Sequence, residues 1–319
     1  MGEILRGEHL KKYFKTPSGM LHAVDDVTFS IQEGETLGVV GESGCGKSTL
    51  GRLVIKLLEP TDGRIIFEGR DITDLKEREN RELRKQMQII FQDPYASLNP
   101  RLCVSELIAD PLRTYRMMDS KQRQQRVFEL MDMVGLARRF AFSYPHELDG
   151  GRRQRIGVAR ALSLNPKFIV CDEPVSALDV SIQAQILNML QDLQVQQGLT
   201  FIFITHDLSV VKHISTDILV MYIGAMVEKS KSRELFKNPL HPYTKGLLSA
   251  IPVPNIDHVK KRVELQGELT SPIEPKAECR FVAPCQYAMD ICRNELPVYE
   301  EILPNHFVSC HNVRRINKL

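Results

Sequence analysis

Gly41-Glu42-Ser43-Gly44-Cys45-Gly46-Lys47-Ser48-Thr49 is the stretch that decides the fold. The apolar run Thr36–Val40 precedes it and residues 50–58 follow with helical spacing, so it lies where a strand turns into a helix. Glycines at this spacing let backbone N–H groups turn inward around phosphate oxygens, and the helix N-terminus adds partial positive charge. Lys47 is expected to reach the β- and γ-phosphates, and Ser48 to offer its hydroxyl to Mg²⁺. The stretch predicts a site for a nucleoside triphosphate.

Composition narrows the class of protein. The chain has 319 residues, which is more than one hydrophobic core usually serves and favours one large domain with an appendage. A formal net charge of +2 lacks the basic excess of a nucleic-acid binder. No apolar run is long enough to span a bilayer, and the N-terminus has no charged-then-apolar signal. We therefore expect a cytoplasmic protein, unless a partner holds it at a membrane.

Strand and helix patterns alternate along much of the chain. In chain order they predict strands around turns over about 3–70, a charged helix over 71–85, a strand over 87–91, mostly helix over 101–165, a strand at 168–171, a helix over about 180–197, a strand at 200–204 and a helix over about 208–215. The alternation in the second half favours a parallel sheet covered on both faces. Prolines recur from about residue 238, and we predict a domain boundary near 235–250.

Two carboxylates end a buried apolar strand at Asp172 and Glu173. Asp172, at the strand end, is expected to bind Mg²⁺ through water opposite the phosphate loop. Glu173 points elsewhere and is the candidate general base that polarises the attacking water. A pair of acids after a strand is a weak signal alone, because exposed turns often carry one. Together with the Gly41–Thr49 loop it predicts nucleotide hydrolysis.

Four more positions give the chain a family resemblance. Tyr13, Gln92 in the run FQDPYASLNP, the segment Ser176–Asp179 and His206 in Thr-His-Asp follow one another around the phosphate loop. Each has an ordinary explanation alone: a surface aromatic, a polar loop residue or a histidine satisfied at a strand end. In this order and spacing they resemble the nucleotide-binding subunits of ABC transporters over about residues 3–235. The resemblance implies that Tyr13 stacks on adenine, Gln92 links Mg²⁺ to a transmembrane partner, Ser176–Asp179 crosses a dimer interface and His206 contacts the γ-phosphate.

The resemblance also implies a fold and a set of site residues. The fold is an α/β P-loop ATPase with a RecA-like core, an antiparallel β subdomain and a helical subdomain at about 93–165 within a cassette over 1–235, followed by a small cysteine-containing extension over 236–319. The expected activity is ATP hydrolysis with Mg²⁺, and the implied catalytic residues are Gln92, Glu173 and His206. The implied nucleotide-binding residues are Tyr13, Gly41, Ser43, Gly44, Cys45, Gly46, Lys47, Ser48, Thr49, Asp149, Gly150 and Gly151. The implied Mg²⁺ ligands are Ser48, Gln92 and Asp172.

One motif departs from the family pattern. The family signature L-S-G-G-Q, which binds the γ-phosphate held by the other subunit of a dimer, reads here as Leu148-Asp149-Gly150-Gly151-Arg152. A serine hydrogen bond to a charged group is worth roughly 1.5–3 kcal/mol. The Asp149 carboxylate would instead repel a phosphate charge about 4 Å away by roughly 4 kcal/mol at an effective dielectric of about 20. We expect an asymmetric heterodimer in which the site built on this chain's own loop turns over and the site built on its signature is impaired, unless Arg152 neutralises Asp149 or contacts the phosphate itself.

Four cysteines fall in the proline-rich tail, spaced C-x₅-C-x₆-C-x₁₇-C. A disulfide framework is disfavoured in a cytosolic ATPase, and zinc usually takes more closely spaced cysteine pairs. Four thiolates can hold an iron–sulfur cluster, and unliganded thiols are the alternative. Residues 238–250, Gly267–Leu269 and Cys285–Cys292 resemble the C-terminal extension of dipeptide, oligopeptide and nickel importer ATPases. That resemblance implies a [4Fe–4S] cluster on Cys279, Cys285, Cys292 and Cys310.

The function expected from this resemblance is to power the import of a solute. The run over 91–101 is closer to the F-type ATPase subunit than to the D-type. This implies a D-type ATPase, two transmembrane permeases and an extracytoplasmic binding protein as partners, with this chain at the cytoplasmic face of the membrane. Peptide is the expected solute, and nickel or another small solute is the alternative. A soluble ABC protein acting on DNA or ribosomes is disfavoured, since this chain has neither long coiled coils nor two cassettes. A tail that senses metal or redox state and regulates the ATPase is compatible with the import function.

Overall fold

The structure is a computed structural model that describes residues 2–93, 95–251 and 271–319. Within these residues, contacts between Cα atoms divide the chain into two compact units. The first unit contains Gly2, Gln32–Gly34 and Leu75–Ile204. The second unit contains Glu3–Ile31, Glu35–Asp74 and the described residues of 205–251 and 271–319. The phosphate loop and the C-terminal extension therefore belong to the same unit.

Strands and helices alternate through the described residues. The strands are β1 (Glu3–Thr16), β2 (Gly19–Gln32), β3 (Thr36–Val40), β4 (Asp62–Phe67), β5 (Arg70–Asp71), β6 (Met87–Ile90), β7 (Phe168–Asp172), β8 (Thr200–Ile204), β9 (Asp217–Tyr222), β10 (Ala225–Lys231), β11 (Tyr299–Leu303) and β12 (His306–Ser309). The α-helices are α1 (Lys47–Val54), α2 (Glu77–Gln86), α3 (Val104–Thr114), α4 (Ser120–Met133), α5 (Gly150–Leu162), α6 (Val180–Gln197), α7 (Leu208–Ile214), α8 (Ser232–Lys237), α9 (Pro242–Ser249) and α10 (Val313–Asn317). The α/β class is as expected.

The second unit combines two strand arrangements. An antiparallel sheet has the order β2-β1-β4-β5, with Leu5 of β1 opposite Phe67 of β4. The other strands of this unit run in the order β11-β12-β10-β9-β3, in which β3 and β9 are parallel. In the extension, β12 pairs antiparallel with β10, placing Val308 opposite Glu228. Because these backbone bonds continue the strand order past β10, the extension is built onto the strands that carry the loop.

The first unit is a parallel arrangement with helices. Strands β8, β7 and β6 lie side by side and parallel, with Phe168 opposite Thr200 on one side and Met87 on the other. Every residue of β7 and β8 is buried, as expected for strands covered on both faces. Helices α3, α4 and α5 lie within the stretch predicted to be mostly helical. The parallel sheet predicted from the alternating pattern is confirmed.

Three local predictions differ from the structure. The sequence over 3–70 predicts short strands between turns, but two of the strands there, β1 and β2, have 14 residues each. Helix α1 ends at Val54, although helical spacing continues to Leu58. The helix predicted from residue 71 begins only at Glu77, because Asp71 pairs with β4 and its carboxylate accepts the Thr73 amide in a turn. In the three described ranges, none of the helices has both the length and the apolar character needed to cross a bilayer.

Candidate nucleotide site

The phosphate loop depends on two glycines in the second unit. Gly41 has a φ of 152°, and a Cβ there would lie 2.2 Å from the Met221 carbonyl oxygen. Gly46 has a φ of 101°, and a Cβ there would lie 2.0 Å from the Ala23 carbonyl oxygen. At both positions the neighbouring backbone carbonyl leaves no room for a side chain, and moving that backbone would cost free energy. The loop therefore comes as close to neighbouring backbone as only glycine allows.

Lys47 is buried within this loop, at the first position of α1. Its Nζ donates to the carbonyl oxygens of Gly41 at 2.8 Å and Glu42 at 2.7 Å, and lies 3.8 Å from Cys45 Sγ. A buried ammonium needs such acceptors to hold its charge. Burial raises the pKa of the Cys45 thiol in spite of the neighbouring ammonium. The loop thus presents a fixed positive charge next to the N-terminus of α1, which suits a polyphosphate.

Tyr13, the candidate adenine platform, is half-buried and held from two sides. Its ring stacks on His22 with centroids 3.8 Å apart and planes 20° from parallel. Its hydroxyl donates to Asp25 Oδ1 at 2.5 Å. Burial and that hydrogen bond raise the pKa of Tyr13. With one ring face covered by His22, a base would stack on the opposite face.

Glu173 and Gln92 meet in the first unit. Glu173 follows β7 with a φ of 47°, an uncommon conformation for a residue other than glycine, and its amide donates to the Ile204 carbonyl at 2.9 Å. Gln92 Nε2 donates to Glu173 Oε2 at 3.0 Å. Asp172, one residue earlier, is buried at 2% exposure. Asp172 is therefore buried, and strained backbone marks the Glu173 position.

The signature segment is also in the first unit, where it begins α5. Asp149 caps this helix, since its Oδ1 accepts the Arg152 amide at 2.8 Å, and its Oδ2 accepts Arg152 Nη1 at 2.6 Å. A Cβ on Gly150 would lie 3.1 Å from Leu178 Cδ2, and one on Gly151 would lie 2.7 Å from Ile182 Cγ2. The neutralising contact from Arg152 that the sequence left open is present.

His206 and Ser176 lie in turns that hold them to neighbouring backbone. In the second unit His206 is exposed between Thr205, whose amide donates to the Val39 carbonyl at 3.2 Å, and Asp207, which caps α7. In the first unit Ser176 Oγ donates to the Glu173 carbonyl at 3.1 Å. The predicted residues thus form two sets. The second unit carries Tyr13, the Gly41–Thr49 loop and His206, and the first unit carries Gln92, Asp149, Gly150, Gly151, Asp172 and Glu173.

Comparison with known proteins identifies the family. Residues 24–176 match the ABC transporter family, and residues 227–292 match the C-terminal region of oligopeptide and dipeptide transporters. The oligopeptide transport ATP-binding protein AppF of Bacillus subtilis is 51% identical over 318 residues, covering 97% of each chain. The chain belongs to the ABC transporter family of ATP-binding proteins. The oligopeptide transport ATP-binding protein OppF of Salmonella typhimurium is a further relative of this ABC protein, 53% identical over 306 residues, which cover 95% of this chain and 91% of OppF.

Solved ABC cassettes share the fold. The post-hydrolysis dimer of the ATP-binding cassette MJ0796 with ADP and Pi matches with a TM-score of 0.67 and 30% identity, covering 72% of this chain and 99% of that one. CbiO1 of Clostridium perfringens, part of a transporter complex, matches with a TM-score of 0.67 and 27% identity, covering 75% of this chain and 92% of CbiO1. The predicted fold class is confirmed, and this ABC protein is an ATPase.

The four tail cysteines of this ABC protein are neighbours, but the structure does not support them as the predicted ligand set. The Cys279 amide donates to the Cys292 carbonyl at 2.9 Å. Cys279 and Cys285 pack against one apolar cluster, which contains Phe281, whereas Cys310 packs against another. Burial and neighbouring thiols raise the pKa of Cys279 to about 12 and that of Cys310 to about 11. No three His, Cys, Asp or Glu residues in the described ranges could hold a metal ion, so the structure gives the [4Fe–4S] cluster no support.

Two contacts of the ABC site were not predicted. The Tyr243 hydroxyl, from α9 in the extension, accepts the Glu42 amide of the phosphate loop at 3.0 Å. Arg280, also in the extension, forms an ion pair with Asp25, the carboxylate that holds Tyr13. No motif marks these residues, because the contacts join common residue types 201 and 255 positions apart in the chain. The extension therefore touches both the loop and the candidate adenine platform.

Proposed function

We propose that this chain is the ATP-hydrolysing subunit that powers import of peptides across the cytoplasmic membrane. The observation that carries the proposal is the 51% identity to an oligopeptide transport ATP-binding protein over 97% of both chains. The match of residues 227–292 to the oligopeptide and dipeptide transporter C-terminal region supports the same solute class. Within this proposal, residues 1–235 are the ATPase cassette and 236–319 its extension.

The proposed roles follow from the chemistry of each residue. The Gly41–Thr49 loop and Lys47 bind the phosphates, and Tyr13 stacks on adenine. Ser48, Gln92 and Asp172 would hold Mg²⁺, which would offset phosphate charge. Glu173 accepts a proton from the attacking water, and His206 contacts the γ-phosphate. The buried Lys47 ammonium and the hydrogen bond from Gln92 to Glu173 support these assignments.

The proposed assembly is a heterodimer of ATPases bound to two permease subunits. An extracytoplasmic binding protein delivers the solute to these permeases. In it the Asp149–Gly151 signature would face the nucleotide of the partner, and this chain's own loop would need the partner's signature. The change from serine to aspartate at position 149 supports a difference between the two sites. The pairing of Asp149 with Arg152 limits the size of that difference.

The transport proposal predicts ATP-dependent uptake of peptides. We would co-express the chain with its candidate D-type partner and permeases, reconstitute the purified complex in liposomes, and measure uptake of labelled di-, tri- and pentapeptides with the binding protein present. Uptake that needs ATP and fails with Lys47→Ala is expected, because the loop would lose its buried ammonium.

The same experiment identifies the solute when uptake of nickel is measured in parallel with uptake of peptides. Nickel uptake with no peptide uptake would contradict the peptide assignment and leave an importer of another solute. Failure of the chain to co-purify with any permease would contradict the transporter role. A Lys212→Ala variant serves as control, since this lysine lies outside the loop, over the Phe236 ring.

The iron–sulfur cluster stays a prediction of the sequence and has a direct chemical test. Anaerobic purification of the full chain should give brown protein with about four irons per chain if the cysteines of the tail converge on a cluster. Cys285→Ser should then remove the colour, and Cys103→Ser, outside the tail, should keep it. Stoichiometric zinc without iron, or metal-free protein, would contradict the cluster.

A further inference from the structure

A chain of contacts joins the C-terminal extension to the candidate adenine platform within the second unit. The Arg280 guanidinium contacts Asp25 Oδ2. Asp25 Oδ1 accepts the Tyr13 hydroxyl at 2.5 Å, and Asp25 Oδ2 lies 3.1 Å from His22 Nδ1. Tyr13 and His22 are themselves stacked. One carboxylate therefore binds both rings of the stack and a cation from the extension.

Asp25 is a largely buried carboxylate that needs these partners. Burial alone would raise its pKa, but hydrogen bonds from Tyr13 and His22 and the charge of Arg280 hold the pKa below its usual value. The side chains of Asp25 and Arg280 are 15% and 10% exposed. An ionised carboxylate at this depth is costly without its cation, so removing Arg280 changes how Asp25 can hold Tyr13.

The extension is itself held firmly on both sides of Arg280. Phe281 is buried, with its ring centroid 5.2 Å from that of Tyr222 and 5.6 Å from that of Tyr243. On the other side, the Cys279 amide donates to the Cys292 carbonyl. The backbone that carries the Arg280 guanidinium is thus held by contacts of the residues before and after it.

The extension also adds a short strand contact beside the platform. The His22 amide donates to the Pro272 carbonyl and the Glu274 amide donates to the Met20 carbonyl, both at 2.9 Å, and Leu21 and Ile273 form an antiparallel bridge. These bonds fix the backbone of β2 at His22, which covers one face of Tyr13. Backbone and side-chain contacts from the extension therefore converge on the same pair of rings.

We propose that Arg280 is a positioning residue for ATP: through Asp25 it fixes the Tyr13 ring for stacking on adenine, so the C-terminal extension sets the affinity for the base. The inference rests on the proposed adenine role of Tyr13. It predicts that Arg280 affects binding of ATP but not of a ligand with phosphates and no base.

The test measures binding of two ligands to the full chain by calorimetry: MgATP and Mg-tripolyphosphate, which has no base. Arg280→Met should weaken MgATP about tenfold, similar to loss of one base stack, and leave tripolyphosphate unchanged. Adding Tyr13→Ala to Arg280→Met should give no more loss than Tyr13→Ala alone, because both act on one contact. Arg280→Lys, which keeps the cation, should restore most of the affinity.

Controls separate positioning from folding. Arg280 lines a cavity of about 570 Å³, so a shorter side chain there does not break a filled core. Arg293→Met, at an exposed arginine of the same extension, should bind MgATP as wild type does. Weaker tripolyphosphate binding in Arg280→Met would overturn the inference, since it would place the effect on the whole fold.

The outcomes also distinguish this inference from the proposed site. If Tyr13→Ala weakens MgATP but Arg280→Met does not, the inference is overturned and the adenine role stands. If Tyr13→Ala binds MgATP as wild type does, the adenine role is wrong and the inference falls with it. Tenfold weaker MgATP in both variants, with tripolyphosphate unchanged, supports both.

Discussion

Glu173→Gln should abolish ATP turnover of the assembled transporter and leave ATP binding in place. A positioned general base contributes about 10²–10⁴-fold to rate, so we expect at least a hundredfold loss. Glutamine keeps the size and the hydrogen-bonding capacity of the side chain, and its amide oxygen can still accept from Gln92 Nε2. What it lacks is the charge that draws a proton from water.

The position of Glu173 in the structure makes this substitution informative. Its backbone is set by the bond from its amide to the Ile204 carbonyl and by a φ of 47°, neither of which depends on the carboxylate. The isosteric change should therefore keep the turn, and ATP affinity should stay within about threefold of wild type. The measurements are phosphate release from the reconstituted complex and calorimetric binding of MgATP.

A matched carboxylate provides the control for this variant. Glu82→Gln removes an exposed acid of α2, whose partner is Lys85 at 2.6 Å, and should hydrolyse ATP as wild type does. Normal hydrolysis in Glu173→Gln would exclude Glu173 as the base. Loss of ATP binding would instead assign Glu173 a structural role in the nucleotide site. Since only the first unit carries this acid, the result also tests whether that unit supplies the hydrolytic chemistry.

Much of this site could be predicted because its residues act through local spacing. The Gly41–Thr49 loop needs glycines at fixed offsets, and the structure shows backbone carbonyls where Cβ atoms of Gly41 and Gly46 would lie. Strands β7 and β8 are continuous apolar runs, which is the pattern of buried parallel strands. Arg152 could be suspected of compensating Asp149 because residues three apart on a helix are neighbours.

What could not be predicted are contacts between segments distant in the chain. Arg280 and Asp25 are common residues 255 positions apart, and neither lies in a motif that reports the contact. The start of α2 was missed because Asp71 makes a turn bond that competes with the helix. Cysteine spacing gave a ligand set but could not show that Cys285 and Cys310 pack against different clusters. Side-chain convergence depends on tertiary packing, which no local pattern records.

The second large effect concerns the signature: Arg152→Gln should lower ATP turnover of the heterodimer, and Asp149→Ser should raise it. The carboxylate of Asp149 is 56% exposed and its charge is met by Arg152 at 2.6 Å. The guanidinium also lies over the Phe140 ring, 4.8 Å from its centroid. Removing it leaves an uncompensated carboxylate at the position that the family uses to bind the γ-phosphate.

The size of the effect follows from the charges. Two unit charges about 4 Å apart interact by roughly 1 kcal/mol in water and roughly 4 kcal/mol at an effective dielectric of about 20. Because both side chains are more than one-third exposed, we expect the lower half of that range, or about tenfold in turnover for each change. The double change Asp149→Ser with Arg152→Gln recreates the family sequence L-S-G-G-Q and should turn over as fast as Asp149→Ser alone, and faster than the other two proteins.

The four proteins form a double-mutant cycle that isolates the charge effect. Arg152→Gln should lower ATP turnover when Asp149 is present. It should leave turnover unchanged when Asp149 has been replaced by serine, because position 149 then carries no charge for Arg152 to compensate. Asp149→Asn keeps the helix cap without the charge and should behave as Asp149→Ser does, which separates electrostatics from capping. Arg139→Gln is the matched control, since Arg139 also lies over Phe140, at 5.0 Å. Equal turnover and equal nucleotide occupancy of both sites in all these variants would mean that Asp149 never meets the phosphate, and that the two sites of the dimer do not differ through this residue.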